Sequence, residues 1–197
     1  MAKIGLSKPY AATYSANGNT VTYTKGAPIG KAVELSIELD GADDNVLYAD
    51  NGIAESANTF AGGSFTLTTD DLLPEVMVEI LGVVSEAIEN AGVTTENPVW
   101  YKWNSNQNTP YMGFGAIVKV QNGGKIGWQA IVLPKIQFQN PSDTFTTQGE
   151  SIEWGTAEIG GNIMRDDTAE QNWKMISSVL DTEADAEALL KSYFNVN

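Results

Sequence analysis

The sequence contains no cysteine and no histidine among its 197 residues. Lack of cysteine excludes disulfides, thiolate metal sites and a cysteine nucleophile, and leaves no mark of an oxidising compartment. Lack of histidine removes the usual general base, the Ser-His-Asp and Cys-His arrangements and the commonest zinc ligand. What remains for catalysis is carboxylates, amines such as Lys191, tyrosines and hydroxyls. Long apolar runs are also missing. No stretch approaches the roughly 18 apolar residues of a membrane span, and Met1 to Tyr10 carries Lys3, Lys8 and Pro9 in place of a signal-peptide apolar core. The expectation is a protein made soluble in the cytoplasm, not an enzyme, with no cofactor, no metal and no membrane partner.

Basic residues are scarce and unevenly placed: 11 Lys and Arg stand against 25 Asp and Glu, for a net charge of -14. Residues 1–31 hold four lysines (Lys3, Lys8, Lys25, Lys31) and no acid, whereas residues 32–101 hold fourteen acids and no base. An acid-only middle of this kind argues against gripping nucleic acid, which requires Lys and Arg on phosphates. The basic start and acidic middle could meet within one subunit or between subunits. With 42% hydrophobic and 18% charged residues, the chain fits one globular domain.

The pattern centres on Ala32 to Thr69. Ala32-Val33-Glu34-Leu35-Ser36-Ile37-Glu38-Leu39 alternates strictly, predicting a strand with Val33, Leu35, Ile37 and Leu39 buried and Glu34, Ser36 and Glu38 facing water. Ser64 to Thr68 alternates again as a returning strand. The 24 residues from Asp40 to Gly63 exceed a hairpin turn, and loops beyond roughly 12 to 15 residues are usually functional or disordered. Asp40-Gly41-Ala42-Asp43-Asp44-Asn45 has the hard oxygen ligands of a calcium site, but Leu47 and Tyr48 break the EF-hand spacing, so a turn-rich acidic loop is preferred. Val46-Leu47-Tyr48-Ala49 is apolar in a hydrophilic loop and needs burial on its own domain or on another subunit.

Around this centre lie other elements. Pro9–Tyr14 and Thr20–Thr24 flank Asn17-Gly18 as a hairpin, an arm or a part of the core, whose Tyr10, Tyr14 and Tyr23 bury little by themselves. Asp70 and Asp71 cap a helix over Leu72–Leu81, with Leu72, Leu73, Val76, Met77 and Ile80 as its apolar stripe and Gly82 at its end; Val83–Ala91 adds further helical turns. Tyr111–Val120 and Lys125–Leu133 form a hairpin through Asn122-Gly123-Gly124, in which Gly113, Gly115 and Gly127 signal close backbone approach or bulges. Thr147–Trp154 opens a strand region reaching Ile163, and Trp173–Ile176 is a short strand. Thr182 caps a last helix, Glu183–Phe194, with Ala186, Leu189, Leu190 and Tyr193 on one side. The class is mostly β, with helices packed on a sandwich or barrel.

Two functional readings can be weighed on residues alone. Glu34 with Glu38, or Glu150 with Glu153, are formally a glycosidase pair, but paired acids on a strand are more often solvated surface. Val99-Trp100-Tyr101-Lys102-Trp103 before Asn104-Ser105-Asn106-Gln107-Asn108 offers the materials of a carbohydrate or receptor platform using Trp100, Tyr101 and Trp103, though a strand with inward aromatics is preferred.

Leu47-Tyr48-Ala49-Asp50-Asn51, Ala54-Glu55, Gly62-Gly63-Ser64-Phe65-Thr66-Leu67 and Asp71-Leu72-Leu73-Pro74-Glu75-Val76 occur in order, followed by Leu81-Gly82, Thr147 to Gly161, Trp173-Lys174 and a terminal helix with Ala184, Ala188 and Leu189. In this order the chain resembles the major tail (tail tube) proteins of long, non-contractile-tailed bacteriophages. The resemblance implies a single tail-tube domain with an N-terminal hairpin at 1–31, a protruding inter-subunit loop at 40–63 and a C-terminal helix within 178–197. It implies hexameric rings stacked into a virion tube that conducts DNA without binding it specifically. Expected partners are the chain itself and the tape measure, terminator and distal tail proteins. On that view Asp40, Asp43, Asp44, Val46, Leu47, Tyr48, Asp50 and Glu55 belong to the inter-subunit loop, and Glu34, Ser36 and Glu38 line the channel.

Overall fold

Antiparallel pairing between segments far apart in the chain builds this protein. The computed structural model describes residues 1–40, 45–49, 52–57, 60–89, 92, 94, 95, 97–143, 145, 147 and 155–196, with 45–49 and 52–57 described in backbone only. The described residues are mostly β, with two helices. The main sheet runs in the order β2 (Thr20–Pro28), β1 (Ala2–Asn17), β9 (Met112–Asn122), β10 (Lys125–Phe138), β11 (Ala157–Met164), β6 (Gly63–Thr69) and β3 (Ala32–Leu39), with β12 (Met175–Ile176) beside β10.

The strands β1, β9 and β10 are covered on both sides. Ala11, Phe114, Ala116 and Leu133 enter one core, whereas their neighbours Tyr10, Ala12, Ile117 and Val132 enter another. Every residue from Met112 to Val118 is therefore buried, and the run shows no polar alternation. In the first core Phe65, Leu67, Ile159 and Ile163 of β6 and β11 pack against Phe114, Leu133, Ile136 and Phe138. The Phe65 ring lies 5.5 Å from that of Phe114 and 5.4 Å from that of Phe138. Helix α1 (Pro74–Leu81) adds Met77, Ile80 and Leu81 to this core.

Helix α2 (Glu183–Phe194) makes the second core. Thr182 caps it as predicted, accepting from the Asp185 N–H at 3.1 Å. Its buried row is Ala186, Leu190 and Phe194, while Leu189, placed on that side by spacing, is exposed. The rotation follows from two glycines. A Cβ on Gly113 would lie 2.6 Å from the Phe194 ring, and one on Gly115 would lie 2.7 Å from that ring and 2.8 Å from Leu190 Cδ2. Only glycine lets the helix settle this low on β9. Tyr10, Tyr14 and Tyr23 are buried beneath the helix, contrary to the expectation that they bury little.

Polar contacts fix the same helix to β1. The register of β1 on β9 shifts between Ser7 and Tyr10, where Lys8 has a φ of +49°. At this bulge Ser7 Oγ donates to Glu183 Oε1 at 2.6 Å and Tyr10 OH donates to Glu187 Oε1 at 2.8 Å. Lys8 pairs with Glu187, which also takes Lys191 Nζ at 3.1 Å.

Other expectations need correction. Helix α1 starts at Pro74, not Leu72, because Asp70 and Asp71 serve the preceding turn: Asp70 Oδ1 accepts from the Lys31 N–H at 2.8 Å and Asp71 Oδ1 from the Leu72 N–H at 2.8 Å. Leu73 consequently sits at the helix N-cap and is exposed. Past Gly82, left-handed with a φ of +71°, the chain does not resume a helix. It forms β7 (Val84–Ala87), paired with β8 (Val99–Lys102) in a separate small sheet. The adjacent β-branched Val83 and Val84 favour extended backbone once a partner strand is available. On β3, Val33 is exposed because the register on β6 shifts between Ala32 and Glu34, and Leu39 is exposed at the strand end; Leu35 and Ile37 do reach the core. Residues 148–154 of the expected Thr147–Trp154 strand lie outside the described residues.

The basic start and the acidic middle meet within the subunit, through Lys25 to Glu79 at 3.2 Å and Lys31 to Asp70 at 3.5 Å. These pairs are exposed and contribute little.

Gly115→Ala should cost about 1–3 kcal/mol in urea denaturation. The cost should shrink in a Phe194→Ala background, as a double-mutant cycle would show. A second expectation concerns acid. The Glu187 carboxyl is held down to about 2 by hydrogen bonds from Lys8, Tyr10 and Lys191, in that order, against an ordinary 4.5. Its folded value lies below its unfolded one, so its stabilisation is complete above about pH 4.5 and is lost as the pH falls toward about 2. Glu187→Gln should be less stable than the parent at neutral pH, and urea titrations at successive pH values should show that difference closing across this window.

Candidate assembly surface

Register decides which side chains share a sheet face, since residues paired across antiparallel strands point the same way. Glu34 pairs with Thr68, which pairs with Glu158. Ser36 pairs with Thr66 and then Gly160, and Glu38 with Ser64, Asn162 and Gln137. The alternate rows, Leu35–Leu67–Ile159 and Ile37–Phe65–Gly161, point into the core. Glu34, Ser36 and Glu38 thus belong to one polar face spread over β3, β6 and β11. Its named rows carry three carboxylates, from Glu34, Glu38 and Glu158, and no lysine or arginine. Lys135, one row further along β10, is turned to Asp167 at 2.7 Å.

Ser64, Thr66, Thr68, Glu158 and Asn162 escaped the sequence reading as members of this face. Their alternation with Phe65, Leu67, Ile159 and Ile163 was legible, but the strand beside which each lies was not.

The face ends on open strand edges. Among the described residues, the outer edge of β3 has no partner, and Ala2–Ser7 of β1 pairs only with β9 because β2 joins β1 from Tyr10 onward. The two edges flank a groove of about 430 Å³ lined by Leu6, Leu35, Ile37, Val118 and Ile131, with Lys3, Glu34 and Lys174 also contributing. An apolar-floored gap between two unsaturated edges invites a further strand.

The loop from Asp40 to Gly63 contains structure of its own. Asp40 N–H donates to Gly62 O at 3.1 Å, closing the base of the β3–β6 ladder. Beyond it β4 (Asn45–Ala49) and β5 (Gly52–Ala57) pair as a separate two-stranded sheet, with Val46 opposite Ser56, Leu47 opposite Glu55 and Tyr48 opposite Ile53. Asp43, Asp44 and Asp50 lie outside the described residues. A two-stranded ribbon is marginal in water on its own, so this arm gains stability from whatever it packs against.

The aromatic segment departs from expectation. Trp100 and Trp103 are 61% and 46% exposed, not packed inward: Trp100 lies on the outer side of β7–β8, a two-stranded flap with a core on one side only, and Trp103 lies past the end of β8. Tyr101 takes that inner side and donates to Glu75 Oε1 at 2.9 Å. The amides beyond it hold the fold together locally. Gln107 Nε2 donates to Leu81 O, at the end of α1, at 2.8 Å and to Asn140 Oδ1 at 3.0 Å, and Asn104 Oδ1 accepts from the Asn106 N–H at 2.9 Å.

No protein-family model matches the chain, and no curated protein matches it. No helix among the described residues is long and apolar enough to cross a membrane.

Because Trp100 and Trp103 touch little, Trp100→Ser and Trp103→Ser should each change unfolding free energy by no more than about 0.5 kcal/mol. Acrylamide quenching should fall in the double variant, as two exposed indoles are removed.

Proposed function

We propose that this chain is a structural virion protein, the tail tube protein of a long, non-contractile bacteriophage tail. It assembles into hexameric rings that stack into the conduit for DNA ejection. The observation that carries this reading is the two-faced sheet of β3, β6 and β11: apolar toward the core, rich in carboxylates and hydroxyls without Lys or Arg in its rows on the other side, and ending on an edge unpaired among the described residues.

Joining such edges between subunits removes the hazard of unsaturated strands and carries the polar face around a ring. Stacking unlike ring faces then gives an open-ended assembly. Glu34, Ser36 and Glu38, with Thr66, Thr68 and Glu158 beside them, line the channel in this reading. Each carboxylate repels a phosphate 10 Å away by only ~0.4 kcal/mol in water, but the effect repeats around and along the tube, so DNA passes without adhering. The β4–β5 arm reaches a neighbouring subunit or ring, with Val46, Leu47 and Tyr48 as anchors and Asp40, Asp43, Asp44, Asp50 and Glu55 as its charged surround. The same reading makes tape measure, terminator and distal tail proteins the other partners, places the mature protein in the virion after synthesis in the host cytoplasm, and assigns it no catalytic role.

The exposure of Trp100 and Trp103 favours a second reading, a carbohydrate or receptor-binding module. Two of the amides that would complete such a platform, Gln107 and Asn104, are engaged in holding α1 and their own loop.

Negative-stain microscopy separates the two: six-fold rings or tubes support the tube protein, whereas saturable glycan binding by a monomer supports the module. Removal of residues 43–57 should leave a monomer with unchanged thermal stability that forms no tubes, and normal tubes would remove the arm from assembly. Glu34→Lys with Glu38→Lys should let tubes form but make them retain DNA in a sedimentation assay at low salt, where the parent tubes retain none.

A further inference from the structure

A pocket of about 400 Å³ lies at the C-terminal end of α2, lined by Val21, Tyr23, Asp166, Thr168, Tyr193 and Asn195. Asp166 is only 6% exposed, an unusual position for a carboxylate. Its Oδ1 accepts from Thr168 Oγ1 at 2.6 Å and from the Thr168 N–H at 3.2 Å. Among the described residues no donor reaches Oδ2, and no fully enclosed side-chain polar atom lacks a partner, so Oδ2 opens onto the pocket. The nearby cations are engaged elsewhere: Lys135 with Asp167 at 2.7 Å, and Arg165 with Gln171 Oε1 at 3.3 Å. The carboxylate is thus largely buried, with no Lys or Arg paired to it among the described residues, and its free oxygen faces the pocket.

Other features of the pocket select the same sign. Asn195, with a φ of +53°, ends α2 at the wall, and the last carbonyls of a helix favour positive charge. The rings of Tyr23 and Tyr193 are 5.2 Å apart with hydroxyls 3.2 Å apart. Burial, with the charge of Asp166 a lesser contributor, pushes both phenols above the ordinary tyrosine range, so they offer neutral rings and oxygens. The space is far larger than a bare metal ion, and Val21 and the rings give it apolar walls.

We propose that this pocket binds a guanidinium group, the head of an arginine side chain. A planar, weakly hydrated cation can stack on tyrosine while donating to Asp166 Oδ2, which a compact ammonium does less well. The site is separate from the polar sheet face and does not depend on the tube reading.

The test is titration of the full chain with argininamide, followed by amide NMR shifts. Saturable shifts are expected at Val21, Thr22, Thr168 and Asn195. Asp166→Asn keeps Oδ1 as an acceptor for Thr168 but loses the charge, and should weaken binding about tenfold or more. Asn195→Lys, at an exposed position outside the core, places a competing cation at the pocket and should also weaken it. Non-saturating shifts, or affinities unchanged in both variants, would overturn the proposal. Lysinamide binding as tightly as argininamide, or potassium or calcium saturating the site in its place, would overturn the assignment to guanidinium.

Discussion

The β9–β10 hairpin is the wall that two cores share, and the rest of the structure follows from burying it on both sides. Enclosed in this way, β9 carries no polar side chain from Met112 to Val118, which is apolar or glycine throughout. The two sides then need different coverings. One receives the curled-over strands β11, β6 and β3 with α1, and the other receives α2. The glycines set the spacing of the second layer: Gly113 and Gly115 admit Phe194 and Leu190 to a depth that a Cβ would forbid. Because the helix sits so low, Tyr10, Tyr14 and Tyr23 are covered, and Ser7, Lys8 and Tyr10 reach acids on α2.

The covering strands have an outer face that is not buried within the subunit, and their composition reflects this. Alternating residues send Leu35, Ile37, Phe65, Leu67, Ile159 and Ile163 inward and leave acids, hydroxyls and an amide outside. Lys25 and Lys31 are paired at Glu79 and Asp70 and Lys8 at Glu187, and the rows named on that face carry no cation. A sheet that is complete in its core but, among the described residues, unpaired at its edges, and that carries a ribbon arm beyond its ladder, is suited to assembly with copies of itself. This fit, and the order of motifs along the chain, support the tube reading together.

The end of α2 presents the opposite situation, a largely buried carboxylate that has no paired cation among the described residues and lies beside aromatic rings. It arises from the same packing, since the helix that roofs β9 also brings Tyr193 over Tyr23 and close to Asp166.

The sequence by itself determined the strand at Ala32–Leu39 and the returning strand at Ser64–Thr68, the hairpins at Asn17-Gly18 and Gly123-Gly124, the ends of α2 and the mostly-β class. These rest on local physics: alternation, left-handed turn residues and capping operate within a few residues of each other. The sequence also assigned Glu34, Ser36 and Glu38 to one side of their strand, because side-chain alternation needs no partner. Only the tertiary structure decided which strands lie beside them. Val84 to Ala87 became a strand because Val99–Lys102 was there to pair with it, and Leu189 was left outside because two distant glycines fixed the roll of α2. Trp100 stayed exposed because its flap has one core to face. Each of these outcomes depends on a contact across tens of residues, and no local pattern encodes the far side of such a contact.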